Sequence, residues 1–465
     1  MRLDRRAPIA FALATCTFGI PAAIVGCSTT SVTLGATSSA EDASVDSEAR
    51  ETPIADADAA DASTIDASTI DAATSDAGPP PIQCVDAACA KALVMNGNWS
   101  FCALLDDGTV ACWGSNEHGE LARASSVQWS AVPERVPGLE DIVRLSHTCA
   151  VDKDGAAWCW GTGPFLQSTT SAFTTQVSPV KLPIPAATHV DFSPHDPRLP
   201  WLEYAPTGCA TLEGNGVACW GTNVNGQVRP PTLGENATAA NPVTTVDIPD
   251  GAPIQDVFVA AYTFQTVSVG ATYLLRTDGT LLSWGANPVI GRVSSLSPDP
   301  RPRPVPLTGV TYVDAEGANA CVVAQGSVYC WGLTDPLLGD VRLNALPRRV
   351  PLPELAVSVA TSGAPYGSTA FDPQRGCAVG LSGDVYCWGS NTSGQAGDGT
   401  REFAVTPVKV QGLPAPAAIV RTAALSTCAL LTNGKVYCWG ENGNGELGNG
   451  IIFEPSLTPV EVLLP

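Results

Sequence analysis

Two groups of residues in this chain have types and spacings that could do chemistry. His189, Asp191, His195 and Asp196 fall within HVDFSPHD, and imidazoles beside carboxylates are the donors of a metal centre or of acid–base catalysis. Their spacing is irregular, the segment is proline-rich, and no partner motif stands elsewhere, so the expectation is a solvated turn. The chain has four histidines, and it lacks an ordered Ser-His-Asp set, a phosphate-binding glycine loop and a Cys-x-x-Cys redox motif. It is therefore expected to be no enzyme, with no catalytic residue, metal ligand or cofactor. Carboxylates such as Asp107, Asp154 and Asp278 recur at turn positions, where they serve the turn.

The second group is the cysteines. Six pairs bracket short hairpins: Cys102 and Cys112, Cys149 and Cys159, Cys209 and Cys219, Cys321 and Cys330, Cys377 and Cys387, Cys428 and Cys438. In CALLDDGTVACWG a three-residue loop, Asp106-Asp107-Gly108, sets Leu105 opposite Thr109 and Cys102 opposite Cys112. That pair falls in the non-hydrogen-bonded class, where Cα atoms approach to about 4.5 Å, which suits a disulfide. Cys321 and Cys330 are one residue closer and their turn shortens to Gln325-Gly326, which keeps them opposite. A further hairpin has Tyr273 and Ser283 at both cysteine positions, and loss of both together is what bridging predicts. Cys84 and Cys89 are expected to form a local bridge by proximity.

Bridges imply an oxidising compartment, and the N-terminus points the same way. Arg2, Arg5 and Arg6 precede an apolar run from Ala7 to Val25, the pattern of an export signal over residues 1–27. Ile24-Val25-Gly26-Cys27 resembles the lipobox of bacterial lipoproteins, which implies lipidation of Cys27 and a membrane contact through that anchor alone. Ser28 after the cysteine favours the outer membrane by analogy with lipoprotein sorting. Residues 28–81 are Ala, Ser, Thr and Asp with eleven acidic residues against Arg50, a composition that cannot bury a core and reads as a disordered tether.

The elements that position the cysteines are repeats. The dipeptide Trp-Gly follows each hairpin, at Trp113-Gly114, Trp160-Gly161, Trp220-Gly221, Trp284-Gly285, Trp331-Gly332, Trp388-Gly389 and Trp439-Gly440, spaced 47 to 64 residues apart. A loop rich in Gly, Asn and Pro comes next, then a Pro-Val strand such as PVKV at Pro407, then a β-branched strand into the next hairpin. Four short strands per unit over residues 82–465 make an all-β, seven-bladed β-propeller. The domain opens on a strand like those before each hairpin and closes on a Pro-Val strand, so joining its ends is expected to complete a seventh unit. Cys102, Leu104, Val110 and Cys112 share one face of the hairpin while Ala103, Leu105, Ala111 and Trp113 share the other, as expected of a blade between neighbours.

WGSNEHGEL from Trp113, WGTNVNGQV from Trp220, WGSNTSGQAGDGT from Trp388 and WGENGNGELGNG from Trp439 resemble the repeat of the regulator of chromosome condensation family, as does SHTC at Ser146. The resemblance spans nearly all of residues 82–465 and implies a seven-bladed propeller. Copies four and five depart from it, with NPVIG and TDPLLG in place of the Asn-x-x-Gly turn. The founding member is an exchange factor for a small GTPase that binds chromatin. A chain with net charge −21 and no Lys/Arg cluster is poorly suited to nucleic acid, and the exchange factor's catalytic carboxylate maps onto no position here.

Secreted bacterial β-lactamase inhibitors of the second type are similar in repeat and in binding an enzyme with one face of the ring. That likeness implies an extracytoplasmic module binding a protein, or a cell-surface glycan, through loops at one mouth. The long connections Thr162–Leu199 and Asn223–Ala261 are the expected carriers of recognition, with Trp201 as a candidate anchor. The competing class is a glycan-active hydrolase or lyase, which would need paired carboxylates or a metal at the mouth.

Overall fold

In the computed structural model the described residues are 78–465, except 86–87, 97–98, 167–173, 194–205, 233–239, 265–266, 288, 333–343 and 363–374. Cys27, the export signal and the tether up to residue 77 lie outside the described residues, as do His195, Asp196 and Trp201. Seven antiparallel sheets of four strands form a β-propeller. Its blades span 90–135, 142–181, 187–245, 254–304, 310–350, 356–409 and 417–461.

Local register follows the hairpin chemistry. Gly108, at φ 77°, ends the loop that returns the Leu105 N–H to the Thr109 carbonyl, and Cys102 lies opposite Cys112. Gln325 and Gly326 both take positive φ in the shortened turn, so Cys321 still faces Cys330. All six cross-strand pairs are bonded, with Cα atoms 4.0–4.1 Å apart, and Cys84 is bonded to Cys89. Asp107 and Asp278 each accept the backbone N–H two residues ahead. In the second hairpin that service falls to Asp152 rather than Asp154, because Asp152 precedes the turn and reaches the Asp154 and Ala156 amides.

The core is divided into seven apolar clusters, one between each pair of neighbouring blades. Each contains the Trp of one Trp-Gly pair packed against the hairpin of the preceding blade, as Trp160 packs on Cys102 and Cys112, and Trp439 on Cys377 and Cys387. The two faces of a hairpin thus serve different seams: Cys102, Leu104, Val110 and Cys112 face blade 2, while Ala103, Leu105, Ala111 and Trp113 face blade 7. Blade 4 fills the disulfide's place with a phenol. Tyr273 packs edge-on against Trp331 at 5.8 Å and donates to the Val289 carbonyl, while Ser283 Oγ donates to the Ile290 carbonyl at 2.6 Å.

Each of the six hairpin disulfides closes a short loop, worth about 2.5–3 kcal/mol in the chain-entropy model. Replacing Cys102 and Cys112 together by alanine is expected to lower unfolding free energy by at least that amount, measured by urea titration. A matched Cys84→Ala/Cys89→Ala variant closes a smaller loop and should lose less.

Ring closure differs from the expectation that the two ends complete a shared unit. Residues 90–135 and 417–461 are each complete blades, and among the described residues no sheet mixes strands from both ends. The ends meet side by side, through bonds that recur between other neighbours. In six of the seven seams the first residue of a blade donates its N–H to the turn glycine of the blade before, as Ile142 does to Gly108, and Ala90 repeats this with Gly434 at 2.9 Å; at the remaining seam Ile254 donates instead to the Asn215 side-chain oxygen. At the opposite mouth each described Trp-Gly indole with a partner donates to a carbonyl in the preceding blade. Examples are Trp160 to Glu120, Trp284 to Gln227 and Trp439 to Gln395, and Trp113 closes the circle on Glu446 at 2.9 Å.

Every fourth strand lies at the outer edge of its sheet and contains proline: Pro133, Pro179, Pro242, Pro300, Pro347, Pro407 and Pro459 among them. A residue without an N–H is tolerated at an edge and blunts pairing with another chain. This explains the recurrent Pro-Val signature.

Candidate functional site

The first strands of the seven blades stand around the ring axis, and all seven are bulged near the second residue. Beyond the bulge, alternation of side chains sends every second residue toward the axis. Blade 3 shows the consequence: in Ala187–Phe192, His189 and Asp191 point into the axial channel while Val190 packs between blades. The expectation that His189 and Asp191 occupy a solvated turn is therefore overturned. Their i, i+2 spacing on a strand buries both, with side chains 7% and 3% exposed.

The channel encloses about 470 Å³, the scale of a small-molecule site. It is crossed by side chains from blades that are not neighbours. Arg144 of blade 2 pairs with Asp256 of blade 4. Arg421 of blade 7 reaches Asp314 of blade 5 at 3.4 Å, lies 5.6 Å over the Tyr312 ring, and donates through Nε to the Leu93 carbonyl at 3.1 Å. His147, at the turn between the first two strands of blade 2, spans the axis: Nδ1 lies 2.7 Å from Asp191 and Nε2 3.3 Å from Glu316 of blade 5. The backbone supplies the other anchors, with the Val259 N–H donating to Asp191 and the Thr361 N–H to Asp314, both at 2.8 Å.

Burial sets the electrostatics. Desolvation opposes charge on His147, but the Asp191 and Glu316 carboxylates outweigh it and hold the imidazole's pKa well above the usual histidine value. Desolvation lowers that of His189 and keeps it neutral. It raises the carboxyls of Asp314 and Glu316, against the pull of Arg421 and His147 respectively. His189 Nδ1 sits 3.4 Å from Asp256 without forming a hydrogen bond, so this buried nitrogen is unpartnered. Among the described residues, no three His, Cys, Asp or Glu side chains converge to hold a metal ion.

Of the sequence's candidate cluster, the channel brings in His189 and Asp191, and each meets a residue of another blade, Asp256 and His147 respectively. The residues missed were Arg144, His147, Asp256, Asp314, Glu316 and Arg421. A signal was available, since they are charged or ionisable residues on or beside otherwise apolar first strands such as DIVRLS and TYVDAE.

The Trp-Gly loops show the other recurrent geometry. Asn116, Asn223, Asn391 and Asn442 each accept, through the side-chain oxygen, the N–H five residues ahead. The acidic or amide residue four positions after each asparagine accepts the N–H two residues before itself, at Glu120, Gln227, Gln395 and Glu446. These side-chain bonds hold the turn of each loop. The profile of the Regulator of chromosome condensation (RCC1) repeat matches residues 94–120, 382–429 and 425–446, each ending in or running through such a loop. The chain carries RCC1 repeats on a seven-bladed propeller.

Similarity to known proteins of this kind extends over most of the ring. The chain is 26% identical over 390 residues to the ultraviolet-B receptor UVR8 of Arabidopsis thaliana, covering 79% of this chain and 80% of that protein. It is 32% identical over 136 residues to the human E3 ubiquitin-protein ligase HERC2, of which it spans 3%. Among solved structures it superposes on human WBSCR16 with a TM-score of 0.59 and 17% identity, covering 77% of this chain and 95% of that one. The corresponding values for Prp20p of Saccharomyces cerevisiae are 0.58, 18%, 81% and 88%. The present ring has disulfide staples within six of its blades and a crossed, charged axis.

Proposed function

We propose that this protein is an exported, lipid-anchored binding module that engages a protein partner with one mouth of the ring and performs no catalysis. The observation that carries the reading is the division between repeated and unrepeated residues. Disulfides, Trp-Gly pairs and capped loops build the seams, and the longest connections gather at one mouth. First and second strands are joined at that mouth by only 147–148 in blade 2 and 317–318 in blade 5, but by 193–206 in blade 3 and 362–374 in blade 6. The paired strands Ile254–Phe264 and Val267–Arg276 of blade 4 are also extended toward it. Loops on a rigid scaffold are where recognition residues concentrate. Prp20p, a solved structure of the same fold, is described with binding to Gsp1p and histones.

Six disulfides buried in seams favour an oxidising, extracytoplasmic place. Anchoring rests on Cys27, and outer-membrane sorting on Ser28. The absence of catalysis is favoured by the channel, where Asp191, Asp314 and Glu316 are already engaged with cations or backbone amides.

The test is affinity capture from outer-membrane and extracellular fractions by the full chain and by a variant in which 194–205 is replaced by a two-residue turn. One stoichiometric protein is expected with the full chain and none with the variant, at unchanged thermal midpoint. Equal capture by both would move recognition off this mouth. Fatty-acid labelling that persists in Cys27→Ser would remove the anchor, and glycan turnover lost in Asp191→Ala would replace the binding module by an enzyme.

A further inference from the structure

We propose that the axial channel is a binding site for a small zwitterion, of the class of a free amino acid or a short unblocked peptide, independent of any protein partner at the rim. The charges along the axis are sorted by depth. At the mouth where the first strands begin, Arg144 pairs with Asp256, and Lys91 lines the same end with its ammonium on the Ile82 carbonyl. Deeper, Asp191, Asp314 and Glu316 face Arg421 and the protonated His147. Counted as formal charges, Lys91 and Arg144 against Asp256 leave the mouth one positive charge in surplus, and Asp191, Asp314 and Glu316 against Arg421 and His147 leave the floor one negative charge in surplus. A ligand with a carboxylate at one end and an ammonium at the other matches that sorting.

Access and unused bonding capacity lie at the same end. The Arg144 side chain is 47% exposed and spends one nitrogen on Asp256, which leaves most of its fork for a ligand carboxylate. Beside it, His189 Nδ1 is buried, lines the channel and has no hydrogen-bond partner. An unpaired buried polar atom is costly in a finished fold, and a ligand oxygen at this nitrogen satisfies it. At the floor, burial penalises charge on the Asp314 and Glu316 carboxyls; each pairs with a single cation, Arg421 and His147 respectively, and an ammonium group between them adds a second that relieves the penalty. The volume of about 470 Å³ accommodates a tripeptide-sized molecule.

Isothermal titration of the purified full chain with trialanine and with N-acetyl-trialanine amide tests this, since the second probe has the same shape without terminal charges. Trialanine is expected to bind, and the blocked peptide at least about tenfold more weakly. Arg144→Gln should weaken trialanine by about tenfold and leave the thermal midpoint nearly unchanged, because its ion pair is half-exposed. Asp314→Asn should weaken binding from the other end, and should it destabilise the ring, Arg144→Gln alone decides. Failure of trialanine to bind, equal binding of both peptides, or no effect of Arg144→Gln would overturn the proposal.

Discussion

Gly440→Ala is expected to destabilise the ring by roughly 2–5 kcal/mol. Gly440 sits at φ 101°, where a residue with a Cβ pays about 1–2 kcal/mol. An added Cβ would lie 2.4 Å from the Leu425 carbonyl oxygen and 2.9 Å from Ser426 Cα, both backbone atoms that cannot step aside. Overpacking of that kind adds about 1–3 kcal/mol. Gly138→Ala separates the two contributions, because Gly138 has φ 81° and nothing within 4 Å of an added Cβ. It should lose only the conformational part. Urea unfolding of both variants measures the difference, and equal losses would show that close approach is not why glycine follows tryptophan in this repeat.

The second large effect is a dependence on pH. Glu446 is fully buried at the seam between the last and first blades, where its backbone carbonyl accepts the Trp113 indole. Its carboxyl accepts two bonds from Asn444, but desolvation dominates and raises its pKa from 4.5 to about 7. Between those values the folded chain keeps a proton that the unfolded chain has released. The contribution of Glu446 to stability is therefore fully present below about pH 4.5, is lost as pH rises, and levels off above about 7. The span corresponds to at most about 3 kcal/mol. Blades 3 and 6 hold neutral Gln227 and Gln395 at the equivalent place, with the same bond to the N–H two residues earlier. Glu446→Gln should match the parent near pH 4.5 and exceed it at pH 7.5, read as the thermal midpoint across pH. Parallel profiles for the two proteins would refute the assignment. Glu120 is raised by burial in the same way and accounts for part of the slope that remains.

Both effects arise at positions whose residue types are visible in the repeat and whose reasons are not. The string WGENGNGEL marks Glu446 as part of a turn, but nothing in its spacing says that the turn is sealed under Trp113, more than three hundred residues earlier. Tyr273 and Ser283 announce a missing disulfide by standing where cysteines recur. That the phenol then fills the gap against Trp331 depends on the neighbouring blade.

By itself the sequence determined what short-range geometry controls. Loop length and turn glycine set the register of each hairpin, register set which cysteines face each other, and repetition of that unit set the number of blades. The tertiary structure decided everything that depends on which residues meet across the ring. His147, Asp191 and Glu316 come from three blades and have no sequence relation to one another, and only closure of seven bulged strands around one axis brings them within bonding distance. Hairpin register is local, set by a few dihedral angles at each turn. The axial cluster is long-range, set by the packing of every blade against the next.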